Sequence, residues 1–342
     1  MVAIQQNVPL KKYTTLQVGG PAGWFADITN EQELDQAVCY AQENKLPVFV
    51  IGGGSNVLVS DEGVDALVLK MSIADAVTRE LDEEGVLVTA GAGMVFDALV
   101  SWTVAEGLWG LENLSHIPGS VGATPVQNVG AYGTEVKDVI DQVRVYNIEE
   151  RKFEIFTAAE CTFGYRDSFF KTAAGKRYII VSVTYRLTTE PSPQITYRDL
   201  AERFADQEVS LADVRQAVIE IRSKKFPNWH EVGTAGSFFK NPIIAREKFE
   251  ALHTRYPEMP HYEVDSATVK VPLGWILDKV LGLKGAGTDK VGQYQGQALV
   301  LINKGNATAT EIAAHAQSVV TKVQQETGID VEWEVTRVGF DT

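Results

Sequence analysis

A chain of 342 residues can bury sizeable cores and predicts two or three domains. Its 45% hydrophobic and 22% charged composition is that of a globular protein, and a net charge of −14 argues against a non-specific nucleic-acid binder while leaving room for a local basic pocket. Cys39 and Cys161 make neither a CxxC nor a zinc set, the first residues carry no apolar leader, and no apolar run approaches the ~18 residues of a membrane span, so a cytoplasmic chain with no metal and no membrane partner is expected.

In chain order, Thr29 and Gln32 fit a capping box before a helix whose apolar face is Leu34, Val38 and Ala41. Val48 to Ile51 reads as a buried strand running into Gly52-Gly53-Gly54-Ser55-Asn56, and Val57 to Val59 and Ala66 to Met71 as further strands. A glycine turn after a strand can hold phosphate through backbone N–H groups or serve as a tight structural turn, and both readings stay open here. It is neither a P-loop nor a GxGxxG fingerprint. Val86 to Thr89 is the next strand. Phe96, Leu99, Val100 and Val104 form the inner face of a helix ending near Gly107. Gly91 and Gly93 lack a third glycine three residues on, which excludes a standard Rossmann site.

The stretch 110–133, GLENLSHIPGSVGATPVQNVGAYG, sustains neither a helix nor a long strand, and does not repeat as a linker would. Leu111, Ile117, Val121, Val126, Val129 and Tyr132 could anchor it in a packed interior. Gly119, Gly122, Gly130 and Gly133 allow positive φ or close approach to a flat ligand. It reads as a backbone cradle for a large cofactor or as an irregular core crossing. Strands are expected at 143–148, 153–157 and 178–187, and a boundary at Glu190-Pro191-Ser192-Pro193. Helices follow at about 211–224, with Val214, Ala217, Val218 and Ile221 as the stripe, and at 247–254, with a short one starting near Pro272. The chain closes with a strand at 298–302, a helix at 310–327 and a strand at 331–335.

His116 and His230 have no partner at a recognisable spacing, and neither a G-x-S-x-G elbow nor HExxH occurs, so hydrolase readings lose ground. Three polar groups sit among bulky apolar residues: Tyr165-Arg166-Asp167-Ser168, Ser237 before Phe238-Phe239, and Glu332 with Glu334. A buried charge needs a partner or a ligand, so each cluster is either a capped turn or ion pair, or part of a site.

These stretches together carry a resemblance. IGGGSNVL (51–58), the stretch 110–133, CTFGYRDSFFK (161–171), GTAGSFFKNP (233–242), QALVLIN (297–303) and VEWEV (331–335) resemble the UDP-N-acetylenolpyruvoylglucosamine reductase family. Ile195-Thr196-Tyr197 resembles its longer, type I form, which closes a tyrosine loop over the substrate. The resemblance implies an α+β fold: a two-part FAD-binding domain of the vanillyl-alcohol-oxidase type plus a separate α/β substrate-binding domain. The implied boundaries are 1–70 for the first FAD-binding subdomain, 71–228 with 329–342 for the second, and 229–328 for the substrate domain. It implies a monomer that uses NADPH, through FAD, to reduce UDP-N-acetylglucosamine enolpyruvate to UDP-N-acetylmuramate, a peptidoglycan precursor. Hydride would pass from flavin N5 to C3 and a proton to C2.

By the same matching, Arg166 stabilises the enediolate, Glu334 is its acidic partner and Ser237 protonates C2. FAD would be held by Gly52, Gly53, Gly54, Ser55, Asn56, Ile117, Pro118, Gly119, Ser120, Gly122, Ala123, Gln127, Asn128, Gly130, Ala131, Tyr132, Gly133 and Arg222, and substrate by Tyr165, Tyr197, Lys225 and Asn241. Related proteins often carry an arginine two residues after the glutamate. Here that residue is Thr336 and Arg337 follows, pointing to the other face of a strand. Competing readings are an FAD oxidase or dehydrogenase of the wider fold, and a sugar-nucleotide sensor without turnover.

Overall fold

The computed structural model describes residues 2–74, 77–205 and 208–340. The chain is α+β and divides into two compact units, one of residues 1–8, 22–54 and 65–223, the other of 9–21, 55–64 and 224–342. No described helix is long and apolar enough to cross a membrane.

Two larger sheets lie among the described residues of the first unit. One runs in the order Gln5–Pro9, Pro21–Ile28, Val64–Met71, Val48–Ile51, the last two parallel with Val48 opposite Leu67. The other is antiparallel, in the order Lys152–Thr157, Ile140–Asn147, Tyr178–Leu187, Gly85–Gly91, Thr78–Asp82. Their inward residues, including Leu67, Leu69, Val88, Val143, Val145, Val183 and Tyr185, share one core with Leu34, Ala37 and Val38 of helix Glu31–Glu43 and with Phe96, Leu99 and Val100 of helix Phe96–Ala105. A second cluster gathers Val214, Ala217 and Val218 of helix Leu211–Lys225 around Trp109, Tyr132, Leu200 and Phe204.

Two local expectations are corrected. Helix Glu31–Glu43 is capped by Asn30, whose side chain accepts from Glu33 N–H at 2.9 Å. Thr29, expected to cap it with Gln32, instead donates its N–H and hydroxyl to the Glu33 carboxylate. Asparagine at least matches threonine as a cap and stands one residue nearer the helix. On helix Phe96–Ala105 the buried third-turn residue is Thr103, not Val104, because Thr103 returns its hydroxyl to the Val100 carbonyl at 2.9 Å and needs no water.

The second unit has an antiparallel sheet in the order Gly233–Ser237, Val300–Asn303, Val291–Gln293, a smaller one in the order Ile243–Ala245, Thr268–Lys270, Tyr262–Glu263, and helices Arg246–Arg255 and Ala309–Thr327. The long helix has a full capping box from Thr308 and Glu311 and a left-handed Gly328 at its end. Its Ala309 and Thr310 N–H groups also bond the Asp61 carboxylate. The expected strand at 331–335 is absent: Trp333 makes one isolated bridge to Phe239, the chain bends at Glu334-Val335, and the strand is Thr336–Val338, parallel to Val57–Val59. The alternating Val-Glu-Trp-Glu-Val pattern has the right period but no continuous neighbour to pair with. Arg337 is exposed and lies over the Trp333 ring at 5.5 Å.

Candidate active site

In the first unit the glycine turn after Val48–Ile51 packs directly on the long irregular stretch. A Cβ added to Gly53 would stand 2.7 Å from Gly119 Cα, and one added to Gly52 would stand 2.3 Å from Ser120 Oγ and 3.9 Å from Ala123 Cβ. Only residues without a side chain permit this approach. Gly53→Ala is therefore expected to destabilise the unit by about 1–3 kcal/mol. Its melting temperature and FAD content should fall together, and wild-type values of both would show that the loop can yield. A Cβ on Gly122 would meet Ala92 Cβ at 2.6 Å, so that glycine answers to the turn that follows strand Gly85–Gly91. Gly122 N–H donates to Ala92 O, Val121 N–H to Met94 O, and Phe96 N–H to Gly119 O, which fixes the stretch to the segment 92–96.

The stretch ends in a two-residue hairpin. Gly130-Ala131 pairs with Thr134-Glu135, and Tyr132 and Gly133 between them have φ of 51° and 86°. That pair of signs is the type I′ turn, which asparagine or glycine adopts with less strain than tyrosine. His116, Asn128 and Arg166 are also left-handed. Such residues persist where the surroundings over-determine them. Asn128 shows how: fully buried, it donates to Glu135 Oε2 and Gly164 O and accepts from Lys137 N–H.

Arg166 sits in a turn closed by Gly164 and Asp167. Its guanidinium donates to Gly130 O at 2.6 Å and Asn128 O at 3.4 Å, its own carbonyl accepts from Lys171 Nζ, and it lies 5.6 Å from the Tyr165 ring centroid. The next hydroxyl, of Ser168, donates to Val126 O. Arg166 is thus locked onto the same loop that carries Asn128 and Gly130.

Arg222, on helix Leu211–Lys225, is 8% exposed and donates Nε–H to His116 O at 3.0 Å. Burial lowers its pKa, opposed by the Tyr132 hydroxyl and Asp97. Burial raises that of Tyr132, opposed by Arg222. Asp97 takes a two-pronged contact from Arg215 at 2.7 and 3.1 Å and the His116 N–H. Burial works against its ionisation, but Arg215 and His116 outweigh it and hold its carboxyl below the usual range. Asp97 and Arg215 were not singled out in the sequence, and their pairing joins residues 118 apart. Tyr197 precedes helix Arg198–Phe204 and meets Tyr132 edge-on at 5.3 Å, while Asn113 Nδ2 bonds both Tyr132 O and Gln194 O.

In the second unit Ser237 closes strand Gly233–Ser237 opposite Val300, just after the left-handed Gly236. Past it the segment 238–240 faces 332–334: Glu334 N–H donates to Phe238 O at 3.0 Å and Lys240 N–H to Glu332 O at 2.9 Å. Phe238 and Phe239 are fully buried and pack edge-on with Trp333. Asn56 donates Nδ2–H to Glu334 O and accepts the Thr336 N–H. Lys240 Nζ pairs with the Glu332 carboxylate at 2.9 Å. Asn241 Oδ1 accepts Leu273 N–H, which ties it to the start of a short helix, and Lys225 is half-buried at the end of helix Leu211–Lys225.

An FAD binding domain model matches residues 24–150, and a model of the UDP-N-acetylenolpyruvoylglucosamine reductase C-terminal domain matches 228–338. The reductase of that name from Flavobacterium johnsoniae is 42% identical over 337 residues, 97% of this chain and 98% of the relative. The one from Ralstonia nicotianae is 38% identical over 340 residues, 98% of this chain and 99% of the relative. The chain belongs to the UDP-N-acetylenolpyruvoylglucosamine reductase family. The solved reductase from Thermus caldophilus matches with a TM-score of 0.67 and 26% identity, covering 99% of this chain and 100% of the other. The expected α+β fold, an FAD-binding domain with a separate C-terminal domain, stands.

As a reductase of this family the chain uses FAD, and the first unit fits that cofactor. Two guanidiniums, Arg215 and Arg222, face one carboxylate, Asp97, leaving local positive charge suited to an anionic group. Of the three residues matched to catalysis, the structure places Ser237 one residue before the segment 238–240 that faces Glu334, and Arg166 in the first unit. Of the eighteen matched to FAD, Ser55 and Asn56 fall in the second unit and the rest in the first.

Proposed function

We propose that this chain reduces UDP-N-acetylglucosamine enolpyruvate to UDP-N-acetylmuramate with NADPH as the electron source. The reading is carried by the facing of 238–240 on 332–334, which holds a hydroxyl and a carboxylate on adjacent segments of one unit. Bound FAD supplies the hydride that C3 of the enolpyruvyl group receives. Negative charge then develops on C2 and the adjoining carboxylate. The Arg166 guanidinium, anchored on Gly130 and Asn128 carbonyls, stabilises that charge. Ser237 Oγ gives its proton to C2, and the Glu334 carboxylate orients the hydroxyl and the nascent acid. Phe238, Phe239 and Trp333 form a compact aromatic cluster around these segments, which limits water there.

In the same proposal residues 1–70 and 71–228 with 329–342 hold FAD, and 229–328 hold the sugar nucleotide with Lys225, Asn241, Tyr165 and Tyr197. Gly52 to Asn56, the 117–133 cradle and Arg222 are the FAD contacts. The net charge of −14 favours a monomer by mutual repulsion, and two free cysteines suit the reducing cytoplasm. The purified protein is expected to carry flavin bands. Anaerobic NADPH should bleach them, and the enolpyruvyl nucleotide should restore them with formation of the lactyl product. Reoxidation by dioxygen but not by the nucleotide would make the chain an oxidase. Flavin that NADPH leaves oxidised would make it a sensor.

A further inference from the structure

We propose that Asn56 is a positioning residue for Glu334, acting by clamping the bend that presents this carboxylate; the inference rests on the catalytic reading of Glu334. Residues 334 and 335 lie outside any ladder, between the single bridge at Trp333 and the strand Thr336–Val338. A bend of this kind has no intrinsic preference for one geometry, so something must select it. The side-chain amide of Asn56 donates Nδ2–H to the Glu334 carbonyl at 3.2 Å, and the Asn56 main-chain carbonyl accepts Thr336 N–H at 3.0 Å. One residue thereby spans both ends of the Glu334-Val335 dipeptide. From the opposite side Glu334 N–H is held by Phe238 O, one residue past Ser237.

Both backbone groups of Glu334 are therefore fixed, one by the segment that carries the proton donor and one by the residue that follows the glycine turn. The strand Val57–Val59, which Asn56 immediately precedes, is itself fixed in parallel register on Thr336–Val338, with Val57 opposite Thr336. Among short side chains only an amide suits position 56. Aspartate is acceptor-only when ionised and would set negative charge against the Glu334 carbonyl; alanine would leave that carbonyl without its donor. The family resemblance placed Asn56 among the FAD contacts. The geometry gives its side chain a second partner and a second task.

The test is a double-mutant cycle read on single-turnover flavin reoxidation by the enolpyruvyl nucleotide, with FAD added to saturation and FAD affinity and melting temperature measured alongside. Asn56→Ala should slow reoxidation about ten- to a hundredfold, the scale of misplacing a reacting group by an ångström. In a Glu334→Gln background the same substitution should cost less than threefold, because the group it positions has already lost its charge. Asn56→Asp should be no better than alanine. Full additivity of the two substitutions would overturn the inference, as would a saturated Asn56→Ala enzyme that reoxidises at the wild-type rate whatever its FAD affinity or melting temperature. If Glu334→Gln alone leaves reoxidation unchanged, it is the catalytic reading of Glu334 that has failed.

Discussion

Ser237→Ala is expected to leave FAD binding and reduction by NADPH intact and to slow flavin reoxidation by the enolpyruvyl nucleotide at least about a hundredfold, the usual loss with a positioned general acid. A serine hydroxyl is a poor acid in water. It gives up its proton here because the acceptor, a carbanion at C2, is a strong base. The structure bears on the competing structural explanation. Ser237 caps no helix: it closes a strand opposite Val300, and the residue after it supplies the carbonyl that holds Glu334. Loss of a capping hydroxyl would cost about 1 kcal/mol of stability and little rate. Ser237→Cys, which keeps a transferable proton, should recover part of the activity. Rapid-mixing traces separate the outcomes: reoxidation close to normal with a lowered melting temperature would make Ser237 structural.

Arg166→Lys should slow the same half-reaction by more than about tenfold, and Arg166→Met by about 10²–10³, the scale of losing a donor to a developing oxyanion. The backbone at this position is left-handed, φ 54°, and both replacements carry the strain that arginine already carries, so folding is not what distinguishes them. What distinguishes them is the fork. The planar guanidinium takes the Gly130 and Asn128 carbonyls with two nitrogens of one fork, the geometry that also suits a carboxylate. An ammonium is a point charge that cannot bridge two carbonyls and a ligand in one plane. Reoxidation of Arg166→Lys at the wild-type rate would reduce this residue to a loop anchor.

Much of this is legible in the amino-acid sequence alone. The strand Tyr178–Leu187 and the helix stripe at Val214, Ala217 and Val218 are where the chain's apolar runs put them, whereas Val48–Ile51, expected to be a buried strand, forms as a strand but buries only Ile51 and leaves Val50 exposed. The irregular course of 110–133 is legible because glycine and proline density without repetition sustains neither a helix nor a long strand. The rest depends on partners far along the chain. Asn56 and Glu334 are 278 residues apart, and Asp97 and Arg215 are 118 apart. Neither pairing leaves a local signal. The strands Gln5–Pro9 and Pro21–Ile28 are bounded by proline and glycine and show no clear alternation in sequence, and the helix Arg198–Phe204 is too short for its two buried residues, Leu200 and Phe204, to show a period. At 331–335 the pattern was right and the strand still failed, since the partner Val57–Val59 is taken by the three residues after the bend.

The parallel pairing of Val57–Val59 with Thr336–Val338 also sets an order of events during synthesis. The second unit draws in two early excursions, 9–21 and 55–64, whose partners are translated last. Leu10, Leu16, Leu58 and Val59, all fully buried in the finished protein, emerge from the ribosome while most of the chain is still to be made. The first unit can fill its core once Leu187 and the helix after it are out, but the second cannot close until the final strand arrives. In the interval these apolar residues and the unpaired edge of Val57–Val59 are open to wrong partners, so late closure of the second unit follows from the chain's connectivity.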